Sequence, residues 1–287
     1  KINKGKLIQF TCLNCKKIIV DYPSNRSKYC TVECSWLHKK QNDRFNIFDA
    51  SNPNSLWALG MLASDGWVLK DSISFSGRKD DMEKIKKIFE SKNGICQTND
   101  SKKSGKNSCF TFKVSSRVLS KKISEGIGIP SNKSLILRYP NIPEDYESTR
   151  HFIRGVFDGD GCITQTKVKT TKRLIPYPTV IICSGSEIFI KQCIERLMQF
   201  NISSRFYKRK NQISKLIPYK TKSEFMYYLI IRRKIDILNF YDFLYKDVSE
   251  NILSKKKKVK FDLVLTEFNT AKKLDYRQFN KFKVVNN

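Results

Sequence analysis

The sequence predicts an α+β protein built by internal duplication and preceded by a small cysteine module. Three observations predict it. A short apolar helix ending in Asp-Gly occurs at 56–66 and again at 151–161, each occurrence leads into the same order of strands and helices, and four cysteines cluster ahead of them. The cysteine stretch has too few apolar residues for a core of its own. The expected division is a cysteine module over 1–45, a first repeat over 46–145 and a second over 146–287 that ends in a basic extension.

In the module, two residues separate Cys12 from Cys15, three separate Cys30 from Cys34, and fourteen lie between the pairs. That spacing suits a tetrahedral Zn²⁺ centre, and four thiolates on one ion would organise a segment that apolar packing cannot. Four free thiols are the plain alternative, and His38 could replace one ligand. The run from Tyr29 to Cys34 is similar to the turn-into-helix half of a treble-clef finger. Lys16, Lys17, Arg26, Lys28, Lys39 and Lys40 crowd the module, which leaves open a contact with DNA or a structural or protein-binding role. A turn-rich junction around Asn52-Pro53-Asn54 comes next.

The first repeat opens with the apolar helix 56–64, after which Trp67-Val68-Leu69 and the alternating run 72–76 read as a hairpin. Met82, Ile85, Ile88 and Phe89 recur at helical spacing over 80–90, residues 110–114 alternate as a strand, and 117–123 returns to helix. The second repeat has helix 151–159, strands 162–169 and 179–183, helix 187–200 with Ile190, Ile194, Leu197 and Met198 on one face, strand 225–231 and helix 234–244. Its hairpin is longer, with the added residues expected in a connection around 172–178.

The repeated motifs read ALGMLASDG from Ala58 and IRGVFDGDG from Ile153. Gly60 with Ser64, and Gly155 with Gly159, make two small-residue helix faces that let two backbones approach closely. Each helix then ends at Asp-Gly, where Gly66 and Gly161 are expected to take the left-handed conformation that closes a helix. Asp65 and Asp160 therefore sit at helix C-termini, where the backbone already presents partial negative charge. If the helices pack in parallel, both carboxylates converge on one point, which should hold divalent metal. Mg²⁺ suits carboxylate and water oxygens and commonly serves phosphodiester cleavage.

Fifty-five basic residues against 27 acidic ones leave a formal charge of +28. Such a chain repels itself unless a polyanion shares its surface, so nucleic acid is the first expected partner. No apolar run long enough to span a bilayer and no leader-like opening is found, so a membrane partner is not expected. Nine cysteines, an odd number, do not look like a secreted disulfide framework. Cys96, Cys109, Cys162, Cys183 and Cys193 read as core thiols. An intracellular location is expected, cytoplasmic or nucleoid-associated, an organelle or phage-infected host included.

The motifs resemble those of the LAGLIDADG homing endonucleases, over about 48–268, and the run from Arg154 to Gly161 looks especially like the second motif of the single-chain, two-repeat members. The first copy departs at Ala63, where the family motif is often acidic and the second copy has Asp158; that position is variable in the family and is not the metal carboxylate. The resemblance implies tandem αββαββα repeats whose antiparallel sheets form a curved saddle over the DNA major groove. It also implies a basic residue near each metal site. For the first repeat that is Lys133, within SNKS from Ser131; for the second it is one of the four lysines after Ser254, with Lys256 preferred. Lys113, Ser115, Thr164, Thr166, Lys167 and Lys169 are strand positions that would read base edges or grip phosphates, or are ordinary solvated positions. His151 stands where the first copy has Trp57 and is assigned no catalytic role.

The expected function is that of a site-specific endonuclease for double-stranded DNA, monomeric and acting at a long target. Asp65 and Asp160 hold Mg²⁺, water attacks in line, one phosphodiester is hydrolysed on each strand, and the two lysines help stabilise charge. One alternative is a catalytically silent LAGLIDADG-derived binding protein, a transcription regulator or intron RNA maturase, which loss of either aspartate would favour. Another is a zinc-finger regulator whose large domain only dimerises or senses a ligand. No splicing segments flank the repeats, so an intact intein is not expected, whereas free-standing and intron-encoded origins read alike. The target sequence has no linear code in the chain.

Overall fold

A computed structural model of the chain describes residues 7–21, 28–41, 43, 45, 48–98, 109–169, 174–210 and 224–270. The cysteine module is a hairpin of β1 (Ile8–Thr11) with β2 (Ile18–Asp21), continued by helix α1 (Val32–Gln41). Among its described residues up to Gln41, Cys12 alone is buried. Apolar packing therefore does not hold this module together. Arg26 lies outside the described residues, as does the Lys40 side chain.

The two repeats run in the expected order. Helix α2 (Pro53–Asp65) starts at Asn52, whose side chain accepts from the Asn54 amide, with Pro53 in the first turn where a missing N–H is least missed. It continues without a loop into β3 (Gly66–Leu69) and β4 (Ser72–Gly77), then α3 (Lys79–Ile88), β5 (Ile95–Gln97), β6 (Phe110–Val114) and α4 (Arg117–Lys121), capped by the Ser116 hydroxyl. A short 3₁₀ turn, Lys133–Leu135, lies between the repeats. The second is α5 (Tyr146–Asp160), capped by Asp145, then β7 (Gly161–Lys169), β8 (Leu174–Ser184), α6 (Glu187–Gln199), β9 (Arg205–Lys210), β10 (Phe225–Ile231) and α7 (Lys234–Tyr245). Helix α8 (Lys255–Thr270) closes the described chain.

Each repeat carries a four-stranded antiparallel sheet, in the orders β3-β4-β6-β5 and β7-β8-β10-β9, which correspond strand for strand. One face of each sheet is buried: Val68, Ile73, Phe75, Phe112 and Val114 in the first, Ile163, Val180, Ile182, Leu229 and Ile231 in the second. Helices cover those faces, and the buried apolar residues of both repeats form one continuous core with α2 and α5 at its centre. The two repeats are packed as one body.

Three expectations need correction. Strand β8 begins at Leu174 and pairs with β7 as far as Lys169, so most of the segment expected as a connection is ladder; only 170–173 lies outside the described residues. Periodicity does not reveal strands β5 and β9, since their residues are mostly exposed edge positions without apolar alternation. Gly66 (φ −109°, ψ 178°) and Gly161 (φ −75°, ψ 155°) are extended, not left-handed. What each glycine supplies is room: a Cβ on Gly66 would meet Leu62 Cδ1 at 2.7 Å, and one on Gly161 would meet Phe157 Cδ2 at 2.2 Å.

Candidate functional site

The two Asp-Gly helices touch backbone to backbone at their small residues. A Cβ on Gly60 would stand 2.2 Å from the Phe152 carbonyl oxygen and 2.7 Å from Gly155 Cα, and one on Gly155 would stand 2.1 Å from the Trp57 carbonyl oxygen. One turn on, a Cβ on Gly159 would meet Ser64 Oγ at 2.0 Å and Asp65 Oδ2 at 3.3 Å. Ser64 fits because its hydroxyl donates back to the carbonyls of Gly60 and Met61. Gly155→Val is therefore expected to force the helices apart and to lower stability by about 3 kcal/mol or more, read as a drop in the denaturant midpoint.

This crossing carries Asp65 and Asp160 to the same end of the helix pair. Burial, and then the charge of Asp65, push Asp160 up to about 6; burial also raises Asp65, against the pull of Lys257 and Lys133. Lys133 Nζ donates to the Ser64 carbonyl at 2.8 Å, and Lys257 Nζ donates to the Gly159 carbonyl at 3.4 Å and to that of Gly161. Ser64 and Gly159 hold the same place in the two motifs, so the lysines are counterparts. Burial lowers both lysines, while the neighbouring aspartates hold them up. Lys256, the residue preferred from sequence, is exposed; Lys257 takes the place expected of it. In a run of four lysines only the helix start selects which one faces the carboxylates, successive residues being turned by about 100°.

Neither carboxylate accepts a hydrogen bond from another side chain among the described residues; both stand at helix C-termini, and the charge of Asp65 bears on Asp160. That donor set, two hard oxygen ligands left without protein donors, fits a divalent cation. Asp158 is not part of it. Its Oδ2 accepts from Trp57 Nε1 and from the Ser254 amide, both at 2.8 Å, and the side chain is buried. His151 is likewise structural, held between Glu147 and Arg154, and burial together with the Arg154 charge pushes it down to about 4.

In the cysteine module the sulfurs of Cys12, Cys15, Cys30 and Cys34 all lie within 4.8 Å of one another, with Cys30 3.4 Å from both Cys15 and Cys34. Four thiolates on zinc at tetrahedral geometry would stand about 3.8 Å apart, so the four residues fit Zn²⁺. His38 is outside this group, its ring tilted against Tyr29 at 5.4 Å. Of the other cysteines only Cys193 is a core thiol. Cys96 is exposed and Cys109, Cys162 and Cys183 are half-buried, Cys183 lying beside the Asp160 carbonyl.

The sheet faces turned away from the core form the candidate nucleic-acid surface. In the first sheet Trp67 pairs with Ser74, and Ser74 with the exposed Lys113. In the second, Thr164 lies opposite Thr179 and its hydroxyl bonds the Thr179 carbonyl; the side chains of Thr166, Lys167 and Lys169 lie outside the described residues. Sequence reading missed Arg205, Tyr207 and Arg209. These exposed β9 residues align with Ile230, Tyr228 and Met226, on the face opposite the buried Leu229 and Ile231. Their signal was the basic and aromatic run RFYKRK itself, which lacks apolar alternation.

Comparison with known proteins bears on the second repeat most directly: residues 147–244 match the family model of a LAGLIDADG-like domain. Similar solved structures include mesophilic variants of the homing endonuclease I-DmoI, at 13% identity over 68% of this chain and 97% of that one, with a TM-score of 0.40. The LAGLIDADG meganuclease I-AabMI bound to uncleaved DNA is 13% identical over 76% of this chain and 91% of its own, with a TM-score of 0.47. I-DmoI in complex with DNA and Mn is 14% identical over 70% and 100%, at 0.41. No curated protein sequence matches the chain. The second repeat is thus similar to a LAGLIDADG-like domain over residues 147–244, within an α+β fold of two αββαββα repeats.

Proposed function

We propose that this protein is a site-specific endonuclease for double-stranded DNA whose cutting centre is the Asp65–Asp160 pair. The observation that carries the reading is the convergence of two carboxylates without side-chain hydrogen-bond donors, one from each repeat, Asp160 half-buried, with a lysine bonded to the helix end beside each. Asp65 and Asp160 would hold a divalent cation, for which Mg²⁺ suits the oxygen donors, and the cation would supply an activated water and stabilisation of the leaving oxygen for phosphodiester hydrolysis. Lys133 and Lys257 bind the last carbonyls of the two motif helices and so stand where they meet a phosphate and offset developing charge. Because one chain supplies both carboxylates, a monomer suffices to cut both strands. Cys12, Cys15, Cys30 and Cys34 would hold a structural Zn²⁺ in the N-terminal module, and cysteines without disulfide partners suit a reducing intracellular compartment.

The outward sheet faces would lie on the DNA, with Arg205 and Arg209 gripping phosphates beside Tyr207. Changing both arginines to Gln is expected to reduce the slope of log affinity against log salt by about two, measured by titration at several ionic strengths. The reading is tested by incubating the protein with a randomised duplex library in Mg²⁺ and in EDTA and sequencing the ends produced. Double-strand ends clustered at one long site, with short 3′ overhangs, appearing only in Mg²⁺, are the expected result. Tight binding with DNA left intact in Mg²⁺ would instead support a silent DNA-binding protein.

A further inference from the structure

Lys257 stands one helical turn beyond Ser254, and four charged side chains converge on the segment that ends there. Arg154, fully buried on α5, donates its Nε to the Ile252 carbonyl at 2.7 Å. Lys84 on α3 donates to the Leu253 carbonyl, also at 2.7 Å. The Ser254 amide donates to Asp158 Oδ2 at 2.8 Å, and the Ser254 hydroxyl to Asp81 Oδ2 at 3.1 Å. Asp81 and Asp158 are 3% and 5% exposed, so both belong to the interior. Two of the four groups come from the first repeat and two from the second; three of them bond consecutive backbone groups just ahead of α8, and Asp81 takes the Ser254 hydroxyl. Burying this much charge is costly and not needed to end one turn and start one helix. Its structural effect falls on Lys257, whose Nζ must reach the Gly159 carbonyl.

We propose that Arg154, Lys84, Asp158 and Asp81 are positioning residues that fix the start of α8 and so aim Lys257 at its half of the cutting centre. The first half is built differently. Ala63 stands where the second motif has Asp158, and Lys133 sits in a 3₁₀ turn steadied by Ser131, which donates to the Val68 carbonyl, and by the close approach of Gly185 to the Ser134 carbonyl. A defect in the charged clamp therefore falls on one strand. This inference rests on the endonuclease reading above.

The test uses a supercoiled plasmid carrying the site recovered from the library, with the full-length protein and each strand end-labelled in a parallel linear duplex. Lys257→Met and Lys133→Met identify which strand each lysine serves. Ser254→Ala and Lys84→Met are expected to slow the Lys257 strand by on the order of tenfold while the other strand is cut at the wild-type rate, so that nicked circles accumulate. Ser254→Thr, which keeps the hydroxyl, should restore linear product. Lys84 is only half-buried, so its variant keeps the proposal testable should Ser254→Ala fail to fold. Equal slowing of both strands, or slowing of the strand that Lys133 serves, would show a merely structural clamp and overturn the proposal. Wild-type protein that binds the plasmid and cuts neither strand overturns the endonuclease reading and this one with it; wild-type cutting with unaltered variants overturns this one alone.

Discussion

Replacing Asp160 by Asn is expected to abolish double-strand cleavage, lowering its rate by about three orders of magnitude or more, while DNA affinity in a cation-free buffer is kept. The change preserves shape and removes one of two charges that face each other at the end of α5. It should also stabilise the cation-free protein. The folded chain raises the Asp160 pKa to about 6, so at pH 7 folding bears the cost of a charged, half-buried carboxylate that Asn does not have. The gain is on the order of 1–2 kcal/mol, visible as a higher unfolding midpoint. The sign comes from linkage: a carboxyl raised in the fold makes the cation-free protein more stable as pH falls from 7 through about 6 toward the unfolded value near 4, and the same protonation weakens cation binding. Burial also pushes Asp81 and Asp158 up to about 6, so the mark of this site is the part of the stability rise that Asp160→Asn removes, together with cation affinity that falls over the same pH window.

Cys30→Ser is expected to have the second large effect, confined to the N-terminal module. Structural zinc contributes roughly 10–16 kcal/mol of binding free energy in small fingers, and here Cys12 is the only buried residue among those described up to Gln41. The variant should lose one bound zinc per chain, and protease should then cut within the first 41 residues. Cooperative unfolding of the repeats should stay near the wild-type midpoint, because their core is built from residues beyond the module apart from its junction at Phe45. Retained zinc and protection would show that the four thiols do not act as a metal centre.

How much of this was legible in the sequence depends on what each feature asks of its residues. The Asp-Gly helices were legible because close backbone contact demands small residues at fixed spacing, and Gly60, Ser64, Gly155 and Gly159 are the residues that meet. The glycines after the aspartates were found for the wrong physical reason: position there is limited by Leu62 and Phe157, not by backbone angle. Edge strands leave no alternation to read, so β9 and its Arg205 and Arg209 went unseen. The second lysine was ambiguous because four identical residues carry no phase, and only contact with the Gly159 carbonyl separates Lys257 from Lys256. The clamp on Ser254 was beyond reach, since Asp81 and Ser254 are brought together from opposite repeats.

The most direct test of the central claim is the position of Mn²⁺ by anomalous diffraction in crystals of the protein with its DNA site. The account predicts a peak within coordination distance of both Asp65 and Asp160, absent when either is changed to Asn. Mn²⁺ bound elsewhere on the protein, with those two carboxylates left without it while the DNA is cut, would contradict the account.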